Sequence, residues 1–267
     1  MDGIEKLSTV RGFLLDMDGT FYLGDRLLEG ALRFIDLLHD QKKEFLFLTN
    51  NSSKHRRQYA EKINQLGLAI TEESVLTSGE ATALYLSDQH PGAQLFLVGT
   101  PSLEAEFRQY GFQLVQQEPQ FLVLGFDTTL TYQKLWALCD FVRAGIPYIA
   151  THPDFNCPTE KGFMPDVGAM IAFVKAATGR LPDLVVGKPN RVIVDAAAVK
   201  MNLPVNQLAM IGDRLYTDIA LGQTSGIVTV LVLSGETKVE DLEDSPFQPD
   251  YVFENLAGVA DWLERNG

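Results

Sequence analysis

Asp16 and Asp18 stand two residues apart in Asp16-Met17-Asp18-Gly19-Thr20, directly after the apolar run Gly12-Phe13-Leu14-Leu15. On a strand, residues i and i+2 project to the same side. Two carboxylates at a strand's C-terminal end therefore converge on one point just past the sheet edge. Like charges that close repel, and each raises the other's pKa unless a cation lies between them. Hard divalent ions such as Mg2+ are held by one or two carboxylates together with phosphate oxygens of a substrate. The pattern points to a metal ion, a phosphate and a carboxylate placed to attack. Against it stands the plainer reading of a solvated Asp-Gly turn.

Three more polar segments follow apolar runs in the same way. They are Thr49-Asn50-Asn51-Ser52-Ser53, Gly187-Lys188-Pro189-Asn190 and Gly212-Asp213-Arg214-Leu215-Tyr216-Thr217-Asp218. Each of the four is expected to open a helix, whose free backbone N–H groups make an anion site. Four such loops on one sheet edge would form a single site.

The elements that must carry these loops are legible as alternating apolar and amphipathic stretches. Strands are expected at 12–15, 44–48, 75–77, 95–98, 121–125, 147–150, 184–186, 208–211, 228–233 and 251–253. Leu28, Leu32, Ile35 and Leu38 space as one helix face, and Tyr59, Ile63 and Leu66 as another. Gly67 and Gly111 are natural C-terminal stops. Near-continuous apolar strands joined by helices mean a parallel sheet covered on both faces, with ligands bound beyond the strands' carboxyl ends. The expected fold is α/β, a Rossmann-like doubly wound parallel sheet core with an inserted α/β domain. The core is assigned to residues 1–78 and 182–267. The insertion, residues 79–181, is large enough to hold its own core and to cover the site.

Composition narrows the function classes. The 267 residues include 35 acidic and 22 basic ones, a formal charge of −13, with no basic footprint of the kind that nucleic acid requires. Lys54-His55-Arg56-Arg57 reads as the solvated face of a helix start. An acidic chain that binds a phosphate must supply positive charge locally, through a metal and a few placed cations. No apolar run reaches the roughly 20 residues of a membrane helix. Residues 1–6 lack the layout of a secretory leader, and two cysteines, Cys139 and Cys157, fit a reducing cytoplasm. No GxxxxGK[ST] loop is present, and the four histidines show no zinc-binding spacing. Phe112, Phe121, Phe126, Trp136, Phe141 and Phe173 are expected in the core of the insertion, and Cys157 as a small packed residue.

With the four loops in hand, the chain resembles the haloacid dehalogenase (HAD) superfamily of phosphatases. The likeness is closest to its NagD-like, p-nitrophenyl-phosphatase-like branch, which has a large inserted cap domain. DMDGT, TNNSS, GKP and GDRLYTDI carry the likeness in the core, and VLGFD at 123–127 and THPDFNCP at 151–158 look like cap segments. A carboxylate such as Asp16 can take a phosphoryl group, splitting one hard displacement into two. Asp18 then serves as acid toward the leaving oxygen and as base toward water. The resemblance makes the same assignment, and it implies Mg2+ bound by the Asp16 carboxylate, the Asp18 backbone carbonyl and the Asp213 carboxylate. N-capping of the following helix is the other reading of Asp213, as it is of Thr49 or Ser52.

Thr49 offers a hydroxyl to the phosphoryl group, with the backbone N–H groups of Asn50 and Asn51 nearby. Lys188 supplies fixed positive charge. Asp218 is read as standing behind Lys188 or a metal-bound water. In the insertion, His152, Asp154 and Asn156 are the expected substrate contacts, or else a solvated turn. The dehalogenase members of the superfamily lack the second aspartate, so Asp18 speaks against that activity.

The expected activity is a Mg2+-dependent phosphatase acting on a small-molecule phosphate ester (a nucleotide, sugar or aryl phosphate), with no nucleic-acid or membrane partner. A homodimer stays open. The competing classes are a receiver-like phosphoacceptor module, which lacks so large an inserted block, and a feeble chain kept for binding phosphate ligands. The lifetime of the phosphorylated protein separates the first of these from an enzyme.

Overall fold

A computed structural model describes residues 6–159 and 162–267, so the reading of the first five residues as free of a leader lies outside the described residues. Ten strands stand where the apolar runs place them, give or take a residue. The chain divides into two compact units, one of Met1–Thr49, Tyr59–Leu76 and Lys188–Gly267, the other of Asn50–Gln58 and Thr77–Gly187.

The first unit is built on a parallel sheet in the order Tyr251–Phe253, Val228–Val232, Leu208–Gly212, Gly12–Leu15, Glu44–Thr49, Val75–Thr77. The chain starts in the middle, moves out to one side and later returns to the other. Strand order thus reverses at Gly12–Leu15, which is where ligands bind in such sheets. Leu15 pairs with Phe47 on one side and Ile211 on the other. Asp16, Thr49 and Asp213 therefore leave the same edge. Gly12–Leu15 and Leu208–Gly212 are buried at every position, as strands with both faces covered must be. Phe13 meets Phe34 edge-on at 5.6 Å, and Phe21 meets Phe47 at 4.8 Å. Such pairs add about 0.5–1.5 kcal/mol beyond the area they bury.

The first helix differs from its expected register. It spans Ala31–Asp40 and buries Ala31, Phe34, Ile35 and Leu38, while Leu28 precedes it and Leu32 is exposed. Gly30 is the cause: it caps the helix at φ +80°, and a side chain there would collide with the backbone of Ala257. The loop at Asp16 likewise does not open a helix. A short hairpin, Tyr22–Leu23 with Arg26–Leu27, intervenes. In the second helix, Arg56–Gln65, Tyr59 and Ile63 are buried as expected, and Leu66 lies just past its end.

The second unit has its own parallel sheet, ordered Leu184–Val185, Tyr148–Ala150, Phe121–Leu124, Gln94–Val98, Gln113–Leu114, and a separate hairpin, Asn156–Thr159 with Gly162–Pro165. Phe112 and Phe126 are buried in it, and Phe121 and Phe141 are half-buried. Trp136 and Phe173 are not core residues; both are exposed, because they fall on the outward faces of the helices Tyr132–Arg143 and Val167–Thr178. Arg56 is not a solvated surface charge either. Its guanidinium lies 2.5 Å from the buried Glu80, whose ionised form needs a partner. No described helix is long and apolar enough to cross a membrane.

Candidate active site

Asp16 follows the central strand by one residue, and its backbone N–H donates to the Ile211 carbonyl at 2.9 Å. Lys188 enters from a segment far along the chain. Its ammonium donates to Asp16 Oδ1 at 2.5 Å and to Asp218 Oδ1 at 2.7 Å, and it also lies 3.4 Å from the Leu48 carbonyl. All three side chains are buried. Burial by itself disfavours the ammonium, but the Asp16 and Asp218 carboxylates together raise its pKa. Lys188 is therefore a permanent cation wedged between two carboxylates.

Asp213 completes the group. Carboxylate oxygens of Asp16, Asp213 and Asp218 lie within 4.8 Å of one another. Asp213 Oδ2 accepts the Glu236 backbone N–H at 2.7 Å, whereas Oδ1 is buried without a hydrogen-bond partner. A buried acceptor of that kind costs free energy unless something fills its lone pairs. Burial first, then the Asp16 and Asp218 charges, push the Asp213 carboxyl up to about 7. The room around it is made by glycine. A Cβ at Gly19, where φ is +85°, would collide with the Asp213 carboxylate, and so would one at Gly235. Asp213 does not cap a helix. Its segment continues as a π-helical turn over Leu215–Ile219, for which Arg214 holds the capping position. An orphaned carboxylate oxygen in an all-oxygen acidic cradle suits a hard divalent cation.

The Asp18 carboxylate is not a member of this cluster and is exposed. The protein around it raises its pKa through desolvation. Lys62 opposes that shift, Asp16 adds to it, and Arg214 opposes it as well. A carboxyl held protonated beyond its usual range can give up a proton. Asp218 has both oxygens engaged, Oδ1 by Lys188 and Oδ2 by the Arg214 backbone N–H at 3.1 Å. Gly212 admits it, since a Cβ there would overlap the Asp218 carboxyl.

The segment after Thr49 is tied into the second unit. The Asn50 amide donates to both oxygens of Asp154 at 3.1 Å, and the Asn50 carbonyl accepts the Ser78 hydroxyl. Ser52 Oγ accepts the Phe126 backbone N–H and lies 3.0 Å from Thr151 Oγ1. Neither Thr49 nor Ser52 caps the following helix, which begins at Arg56. His152, expected to touch substrate, is instead fully buried. Its Nε2 is 2.9 Å from Asp166 Oδ1 and its Nδ1 is 3.0 Å from Thr151 Oγ1. Asp154 is half-buried and Asn156 exposed. Cys157 is half-buried against the core of its unit.

Comparison with known proteins gives the family. Residues 13–113 match the haloacid dehalogenase-like hydrolase family model, and residues 185–259 match a second, HAD-hydrolase-like one. The chain belongs to the haloacid dehalogenase-like hydrolases. An acid sugar phosphatase of Staphylococcus haemolyticus is 35% identical over 97% of this chain and 99% of its own length. The 5'-nucleotidase YutF of Bacillus subtilis is 32% identical over 96% of this chain and 99% of its own. The crystal structure of a 4-nitrophenylphosphatase from Thermotoga maritima superposes with a TM-score of 0.94 at 47% identity, covering 96% of this chain and 98% of that one. The protein is thus an enzyme of the HAD phosphatase kind.

Sequence reasoning missed one segment, residues 234–237, which touches both Gly19 and Asp213. It too is a polar run after an apolar strand, Val228–Val232, so the signal that found the other four loops was present.

Proposed function

We propose that this protein is a Mg2+-dependent phosphomonoesterase acting on small soluble phosphates through an aspartyl-phosphate intermediate. The single observation that carries the reading is Asp16 packed against Lys188 within an acidic cluster that has an orphaned Asp213 oxygen. Mg2+ would be held by the Asp16 and Asp213 carboxylates and the Asp18 backbone carbonyl. When bound it supplies charge neutralisation for the phosphoryl oxygens.

An Asp16 carboxylate oxygen attacks phosphorus while the bond from phosphorus to the ester oxygen breaks. Asp18, as the protonated acid, gives its proton to the departing alkoxide, so an alcohol leaves. Water then attacks the phosphorus of the aspartyl phosphate and Asp18, now a carboxylate, takes its proton. The bond from phosphorus to Asp16 breaks, releasing inorganic phosphate and restoring both side chains. Lys188 holds Asp16 in place and offsets negative charge that gathers on the equatorial oxygens. Thr49 and the backbone N–H groups of Asn50 and Asn51 orient the phosphoryl group. Asp218 keeps Lys188 in position.

Asp154 and Asn156 are assigned to substrate recognition, and His152 holds their loop through Thr151 and Asp166. The names of the relatives place sugar phosphates, nucleoside monophosphates and aryl phosphates in the test panel. The reaction is assigned to the cytoplasm. Asp16→Asn should abolish p-nitrophenyl phosphate turnover in the presence of Mg2+ while circular dichroism stays unchanged. Turnover at the wild-type rate would end the proposal.

A further inference from the structure

Residues 234–237, Ser234-Gly235-Glu236-Thr237, reach both segments that would hold the cation. Ser234 Oγ donates to the Gly19 carbonyl at 2.8 Å, next in the chain to the Asp18 carbonyl. The Glu236 N–H donates to Asp213 Oδ2 at 2.7 Å, and the Thr237 N–H donates to the Asp213 carbonyl at 3.2 Å. Gly235 lies flat on the Asp213 side chain, where a Cβ would overlap the carboxylate. The would-be Cβ of Gly19 is 3.1 Å from the Gly235 Cα, so two glycines clasp one carboxylate. The loop is braced from outside: the Glu236 carboxylate accepts Arg214 Nε at 2.9 Å and the Tyr216 hydroxyl at 3.0 Å.

These contacts treat the two oxygens of Asp213 differently. Oδ2 is occupied by a backbone donor that no side-chain substitution removes. Oδ1 is left buried and unpartnered. We propose that residues 234–237 are the positioning element of the metal centre, selecting which Asp213 oxygen faces the cation and fixing the Asp18-Gly19 turn that presents the second ligand. The inference rests on the metal reading above. Groups that orient metal ligands from behind typically change affinity by about 10–100-fold when lost.

The test uses the full chain stripped of metal with EDTA and titrated with Mg2+ by calorimetry, so that activity is not the readout. Gly235→Ala inserts a methyl group against Asp213 and should weaken Mg2+ binding by about 10–100-fold. The methyl group must push the Asp213 carboxylate aside, so the metal-free variant should melt below the wild type, and binding is compared only in protein that circular dichroism shows to be folded. Ser234→Ala removes only the bond to Gly19 and should weaken binding by about tenfold. Ser234→Thr, which keeps the hydroxyl, should restore it. Should Gly235→Ala fail to fold, the Ser234 pair decides the matter alone. Affinities within about twofold of wild type in Ser234→Ala and any folded Gly235→Ala overturn the inference and leave the metal reading standing. A wild-type protein that binds no Mg2+ overturns both.

Discussion

Replacing Lys188 with methionine keeps its length and removes its charge. Asp16 and Asp218 then face one another, with oxygens within 4.8 Å and no cation between them. At an effective dielectric constant of about 20, that repulsion, which the Lys188 ammonium offsets in the wild type, is at least about 3.5 kcal/mol. It pushes the Asp218 carboxyl, already raised by burial, further upward. The sign follows from linkage. A carboxyl whose folded pKa is raised keeps its stabilising share below its unfolded pKa and loses it as pH rises through the folded one. Burial raises the Asp218 pKa even with Lys188 present, so near pH 5 that group is protonated in both proteins. The deficit of the variant should therefore be small at about pH 5 and reach about 3–4 kcal/mol at about pH 8.5. In melting temperature that is roughly 6–16 °C. Urea unfolding of metal-free protein at the two pH values measures it. Lys188→Met combined with Asp218→Asn should recover most of the loss at the higher pH. A deficit equal at both pH values would mean that Lys188 contributes packing and not charge, and the electrostatic account of the site would fail. The rate constant kcat should drop by about 10²–10³-fold, the usual effect of losing one charge-stabilising group.

Asp18→Asn should lower kcat by about 10²–10⁴-fold on sugar phosphates and much less on p-nitrophenyl phosphate, whose phenolate departs with little need of a proton; equal losses on the two substrates would remove Asp18 as the acid. The Asp213 carboxyl, pushed up to about 7 without metal, must lose its proton before it can ligate. Mg2+ affinity should accordingly fall by up to about tenfold per pH unit below neutrality, and thermal stabilisation by Mg2+ should be larger at about pH 8 than at about pH 5.5. A shift that does not depend on pH would place the cation elsewhere.

The sheet was legible because its strands are buried on both faces. Phe13, Leu14, Leu46, Phe47, Met210 and Ile211 allow no polar alternation, and strand ends then mark the site edge. Four polar loops of the candidate site emerged from that rule applied to residue types. Residues 234–237 follow an apolar strand in the same way, but no residue type there marks chemistry, since their main contributions come from the Glu236 and Thr237 backbone N–H groups and from the missing side chain of Gly235. Backbone donors carry no residue-type signature. The Leu28 and Leu32 face was misjudged because Gly30 starts the helix one turn later, a packing constraint set by Ala257 at the far end of the chain. His152 looked like a surface ligand in an Asp- and Asn-rich loop, yet a buried Asp166 claims it. The partner that fixes it lies fourteen residues downstream across a hairpin, and its role there is fixed by folding, not by local sequence.

Trapping the covalent intermediate tests the nucleophile directly. Wild-type protein turning over substrate with Mg2+ is quenched with borohydride, which reduces an acyl phosphate to an alcohol, and the peptides are sequenced by mass spectrometry. Conversion of Asp16 to homoserine, dependent on substrate and absent in Asp16→Asn, is the predicted result. Modification of Asp18, Asp213 or Asp218 in place of Asp16 would contradict the account.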